Sequence, residues 1–103
     1  MAGIPLSTLA HVVRSKNAGP TQLTIDVFFH DTQAFDRAAA SASLSAAAVA
    51  GLYDCDAAQV QRHVLPSILA MKFTLPRHIC AGDPGDGDVY GAQQHAPLLE
   101  VHL

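Results

Sequence analysis

Two stretches hold most of the chemistry in this chain. The first is Arg14-Ser15-Lys16-Asn17-Ala18-Gly19-Pro20, two cations among small polar and turn-forming residues. The second is Gly82 to Leu99, GDPGDGDVYGAQQHAPLL, with three of the nine acids, four of the seven glycines, two adjacent glutamines and His95. A short loop with Arg14 and Lys16 at its mouth and several backbone N–H groups has the parts of an anion site. The same residues also suit a strand-connecting turn with solvated charges. The amides of Gln93 and Gln94 beside the His95 imidazole are able to position a carboxylate or thioester oxygen. They equally suit amides that tie down an irregular backbone.

Other chemistries find less support. The six histidines, His11, His30, His63, His78, His95 and His102, form no HxH, HxxxH or HExxH arrangement, so no metal is expected. DPGDGD lacks the twelve-residue ligand spacing and closing glutamate of a calcium loop, and metal binding there stays a minor alternative. There is no GxSxG, and Gly82, Gly85 and Gly87 stand in the wrong order for a dinucleotide fingerprint, so no cofactor is expected. Cys55 and Cys80 fit neither a zinc ribbon nor a redox CxxC and read as reduced thiols.

The whole chain sets further bounds. At 103 residues it reads as one domain, 1–103. Half the residues are hydrophobic, but many of these are alanines, and tryptophan is absent. The core is therefore thin, which favours association with a partner or self-association into a homo-oligomer. The net charge is −3, and the six basic residues form no patch interleaved with aromatics, so no nucleic acid is expected as partner. No apolar run approaches a membrane span. No signal peptide is evident, and the expected location is cytoplasmic.

The elements that must position these residues follow from periodicity. Leu6 to Arg14 alternates loosely and favours a strand, with Ser7 as an alternative cap for a short first turn. Ser15 to Pro20 reads as a break. Thr21 to Phe29 is the clearest strand: Leu23, Ile25, Val27 and Phe29 share one face. Asp26 lies on the other, where it either pairs with Arg14 or Lys16 on a neighbouring strand end or simply faces water. Asp31 or Thr32 caps a helix over Thr32 to Ala42, and Ser43 caps a second over Leu44 to Tyr53. Asp54-Cys55-Asp56 turns the chain, and Asp56 caps one short turn through Gln59. Val60 to Val64 and Ile68 to Leu75 read as strands, the latter central because it is almost wholly apolar. Lys72, its one charge, either snorkels to an edge or points into a site. Leu98 to Leu103 alternates and suits a terminal strand.

Three segments together resemble a known family. They are Val12 to Pro20 with Leu23-Thr24-Ile25-Asp26; then Lys72-Phe73-Thr74-Leu75-Pro76-Arg77; then Gly85 to Leu99 with its GAQQHAP run. The chain resembles the bacterial domain of unknown function family numbered 4387 over nearly its whole length. That family is similar to the C-terminal ferredoxin-like domain of the acyclic terpene utilisation (AtuA-like) proteins, where an RSGDKGD loop occupies the place of Arg14 to Pro20. Family members often carry Phe-Asp-Pro-Ala before the lysine strand; here the run is Leu65-Pro66-Ser67-Ile68. If that aspartate has a role elsewhere, this chain does without it.

The resemblance implies a detached small subunit, since such proteins are typically encoded beside an AtuA-like large protein lacking this domain. The expected fold is an α+β ferredoxin-like sandwich, an antiparallel or mixed sheet with helices on one face. The expected function is that of a small subunit of a two-component enzyme acting on a small carboxylic acid or its CoA thioester, with hydration or dehydration, a lyase step, as the reaction. In that setting Arg14, Lys16 and Arg77 attract the carboxylate or phosphate. Ser15 and Gly19 belong to the same anion-binding loop. Asn17, Gln93, Gln94 and His95 orient the substrate, and His95 is the proton-transfer candidate. The alternatives are a non-catalytic structural subunit and a stand-alone homo-oligomeric module that binds a small anion.

Overall fold

The computed structural model describes residues 3–18, 21–76, 96–99 and 101–103. Its elements are α1 (Leu6–Leu9), β1 (Ala10–Asn17), β2 (Gln22–Phe29), α2 (Thr32–Ala40), α3 (Ala46–Leu52), β3 (Gln61–Leu65), β4 (Ala70–Pro76) and α4 (Ala96–Leu99). Short 3-10 turns at Ala42–Leu44, Ala57–Gln59 and Pro66–Ile68 join them. The four strands form one sheet in the order β1-β2-β4-β3, and every neighbouring pair is antiparallel. Two hairpins, β1–β2 and β3–β4, flank the helical segment, and β2 and β4 form the seam between them. This is the expected α+β sandwich: an antiparallel sheet with helices packed on one face.

The core lies between sheet and helices. Leu23, Ile25, Val27 and Phe29 of β2 point inward, as their alternation requires, and so do Met71, Phe73 and Leu75 of β4. They meet Phe35 and Ala38 of α2, Leu44, and Val49 and Ala50 of α3 in a single cluster that also takes in Leu6 and Leu98. The Phe29 and Phe35 rings pack edge to face, with centroids 6.1 Å apart. Alanines supply much of the helical side, which brings helices close to the sheet but buries little area per residue. Each large side chain in this core contributes about 1.5–3 kcal/mol by leaving water.

Caps explain where the helices stand. The Asp31 carboxylate accepts a hydrogen bond from the Ala34 N–H at 2.8 Å and starts α2. The second cap is Ser45, whose Oγ accepts from the Ala48 N–H at 3.1 Å. The expected cap at Ser43 is corrected accordingly. Leu44 falls in the preceding 3-10 turn, where it is fully buried. Both seryl positions precede an alanine-rich run, so local propensity does not separate them; burial of Leu44 does. Arg62, on the inner side of β3, donates from Nε to the Leu44 carbonyl and from Nη2 to the Ala39 carbonyl, both at 2.9 Å. One guanidinium thus ties the sheet to carbonyls at the end of α2 and in the 3-10 turn.

Four boundaries depart from the expected ones. Leu6–Leu9 is a helical turn led by Pro5, without a side-chain cap from Ser7, and the strand begins at Ala10. β1 continues through Asn17, so the break starts at Ala18 and not at Ser15. Ile68 lies in a 3-10 turn and is 55% exposed, and Leu69 turns the chain with φ 52° before β4 begins at Ala70. Leu98 and Leu99 are helical, and terminal pairing begins only at Val101. There the Leu6 N–H donates to Val101 O at 2.7 Å and the Leu103 N–H to Ile4 O at 2.9 Å, around a Pro5–His102 bridge. Gly3 allows this close pairing, because a Cβ there would sit 2.9 Å from Leu103 C and N.

Candidate functional site

The outer face of the sheet, away from the described helices, is laid out in rows by strand register. The first row crosses all four strands as Val12, Phe28, Ala70 and Leu65; the second as Arg14, Asp26, Lys72 and His63; the third as Lys16, Thr24, Thr74 and Gln61. An apolar row therefore borders a charged row, which borders a polar one. Val12 and Leu65 are 40% and 38% exposed at the two edges, well above what core aliphatics show.

In the charged row Arg14 Nε lies 3.5 Å from Asp26 Oδ2, one of the two pairings that the sequence left open. The Arg14 guanidinium also sits 5.2 Å above the Phe28 ring centroid, a cation–π distance. Asp26 is directly opposite both Arg14 and Lys72, and Lys72 is directly opposite His63. Half-buried Lys72 thus stands on the outer face between an acid and an imidazole, at the side-chain spacing of cross-strand neighbours.

The strand character of β1 divides the first chemical stretch. Arg14 and Lys16 are exposed on the outer face, whereas Ser15 is turned inward opposite Ile25 and is only 5% exposed. Asn17 also lies on the inner side, half-buried opposite Leu23 at the end of the strand. Alternation thus separates the two cations from Ser15 and Asn17, which a loop would have allowed to converge. Gly19, Arg77, Gln93, Gln94 and His95 lie outside the described residues, as do Cys80 and the DPGDGD run.

A concavity, unanticipated from the sequence, opens between the N-terminal segment and α2, with a volume of about 440 Å³. His30 and Arg37 are among its polar walls and Leu9 among its apolar ones. His30 packs against His11 with ring centroids 5.3 Å apart. His11 is the extra residue of a β-bulge: Ala10 and Val12 face the adjacent residues Phe29 and Phe28. The available signal was His30-Asp31 at a strand-to-helix junction, which reads equally as a cap.

Two further groups have displaced protonation equilibria. Burial pushes the Tyr53 phenol well above its ordinary range. Partial burial, then the Asp56 and Asp54 carboxylates, push the Cys55 thiol up, so Cys55 has little nucleophilic character near neutral pH. Among the described residues, no group of three or more His, Cys, Asp or Glu side chains is placed to hold a metal ion. None of the described helices is long and apolar enough to cross a membrane.

With this geometry in view, the comparisons assign the chain to a family. The model of the family described as Domain of unknown function (DUF4387) matches residues 6–102, from the first helical turn to the terminal bridge. The chain belongs to that family. Comparison with curated proteins and with solved structures returns no match.

Proposed function

We propose that this chain is the small subunit of a two-component enzyme and docks on an AtuA-like large subunit. The pair would act on a small carboxylic acid or its CoA thioester by hydration or dehydration. The observation that carries the docking lies on the outer sheet face, where Val12 and Leu65 are exposed at the two ends of the apolar row, with Phe28 half-buried and Ala70 buried between them, beside the charged row from Arg14 to His63. Apolar area with flanking charge is what a specific interface needs: burial supplies affinity, and charge fixes register and partner. Arg14 and Lys16 share that face and would present cations to a substrate held at the joint surface. In this reading Arg77 adds a third cation, Gln93 and Gln94 orient the bound group, and His95 transfers the proton.

The test is co-expression with an AtuA-like large protein that lacks the small domain, followed by affinity capture and turnover on a panel of hydroxy acids and acyl-CoAs. Capture of a stoichiometric pair that is lost in Val12→Glu and Leu65→Glu is the expected result. Failure of the intact proteins to associate overturns the reading. In the assembled pair, His95→Ala should lower turnover while leaving the complex intact. Release of the subunit by His95→Ala, without a separate effect on chemistry, would instead identify a structural subunit.

A further inference from the structure

We propose that the concavity between the N-terminal segment and α2 is a binding site for a small monocarboxylate with a short apolar body. Its volume of about 440 Å³ falls within the roughly 300–1,000 Å³ of small-ligand sites. The lining sorts by chemistry. Ile4, Leu9 and Ala34 are apolar and buried or half-buried; Thr8, His30, Gln33 and Arg37 are polar and exposed. An apolar base below a donor-rich rim suits a molecule with a hydrocarbon end and a hydrogen-bond-accepting end.

Charge decides which acceptor. Arg37 contributes a fixed cation, and Thr8, Gln33 and His30 each have a donor to offer. The one acid in the lining is Asp31, and its Oδ1 is committed to the Ala34 N–H at 2.8 Å. It therefore serves the positive end of α2 as its cap and offsets that end, which leaves Arg37 as the fixed cation of the rim.

The cation is also held in place. Arg37 donates from Nε at 3.1 Å and from Nη2 at 2.6 Å to the Leu103 main-chain oxygen, which also accepts from the Ile4 N–H at 3.2 Å. Among the described residues nothing accepts from Nη1, which would meet a ligand. His30 is braced by the ring of His11. A guanidinium and an imidazole fixed before binding lower the ordering cost of capturing a small anion. The site is separate from Arg14 and Lys16 on the outer sheet face and does not depend on the two-component reading.

Titration of the isolated chain with butyrate, followed by amide chemical shifts, tests the site. Saturable shifts centred on Leu9, His30, Gln33 and Ala34 are expected, with a dissociation constant in the millimolar range and no comparable binding of butyramide. Thr8→Phe should plug the rim without touching Arg37, and Arg37→Gln should remove the cation; each should weaken binding about tenfold or more, the scale of one charge-assisted contact. Thr8 is exposed, so its variant keeps the test clear of the clasp that Arg37 makes with Leu103. Absence of saturable shifts overturns the proposal. So do equal binding of butyramide, unchanged affinity in Thr8→Phe, and shifts centred on Arg14 and Lys16 instead.

Discussion

Arg14 and Asp26 face each other across the β1–β2 register, the guanidinium Nε 3.5 Å from the carboxylate Oδ2. The pair is lopsided: the Arg14 side chain is 61% exposed and that of Asp26 15%. Asp26 also faces Lys72 on its other side, so one acid lies between two cations. Asp26→Asn should therefore cost more than Arg14→Gln, because it leaves two positive groups across from each other with nothing between. Solvent screening keeps either loss near or below about 1 kcal/mol. Urea unfolding at low and high salt checks this. The Asp26→Asn penalty should shrink as salt rises; a penalty independent of salt would show that charge is not its cause.

Arg62 bonds the Ala39 and Leu44 carbonyls with two different nitrogens of one planar fork. Lysine has a single ammonium and is poorly placed to reach both. Arg62→Lys should lower unfolding stability by about 1.5–3 kcal/mol, the range for hydrogen bonds to charged groups. Arg62→Met should cost at least as much, since it leaves both carbonyls without their donor. Thermal unfolding by circular dichroism distinguishes this from a surface arginine, whose replacement by lysine would leave the midpoint unchanged.

Gly3 stands against the backbone of Leu103, with no room for a Cβ. Gly3→Ala should separate the terminal segments locally and leave the sheet paired. Amide exchange reads this directly. The Leu103 N–H, which donates to Ile4 O, should lose protection, while amides in β2 and β4 keep theirs. Uniform loss across the sheet would instead mean that the terminal pairing supports the whole fold.

Partial burial, and after it the flanking Asp56 and Asp54 carboxylates, push the Cys55 thiol upward. A raised pKa means less thiolate at a given pH below it, hence slower alkylation. Replacing Asp54 and Asp56 by Asn removes the two negative charges, lowers the pKa and should accelerate iodoacetamide labelling at pH 8 in a Cys80→Ser background. The difference should vanish at a pH where both thiols are fully ionised. Asn tolerates the left-handed backbone at position 54, where φ is 54°, so the substitution isolates charge from conformation.

How much of this was legible in the sequence depended on periodicity. β2 was readable because Leu23, Ile25, Val27 and Phe29 alternate without interruption, and the same alternation put Asp26 on the opposite face; that Arg14 and not Lys16 stands across from it is set by the β1–β2 register. Asp31 was readable as a cap because its role is local. The end of β1 was not. Ser15, Lys16 and Asn17 have weak strand propensity, and only pairing with Ile25, Thr24 and Leu23 holds them extended. That tertiary override moved Ser15 from a candidate anion ligand to a buried inner-face residue. The concavity beside α2 was illegible for a related reason. Ile4 and Thr8 come from the N-terminal segment and His30 and Arg37 from the stretch that leads into and forms α2, and no local pattern announces that the two stretches meet.

The arrangement of the sheet also sets an order of assembly. Each hairpin closes over a short connection, residues 18–21 for the first and Pro66–Leu69 for the second. Closing them costs little chain entropy, and hairpins of this kind form in about 1–10 μs. The β2–β4 seam, Asp26 against Lys72 and Ile25 against Phe73, joins residues far apart in the chain and must wait for the helical segment to fold back. Docking of two preformed hairpins is then the slow step. Conservative truncations along the seam, such as Ile25→Val, should slow refolding, whereas changes in the Pro66–Leu69 connection should leave the refolding rate nearly unaltered if that hairpin has formed and equilibrated beforehand with ample stability. Stopped-flow refolding of the two sets of variants tells them apart, and equal slowing by both would place hairpin closure within the barrier itself.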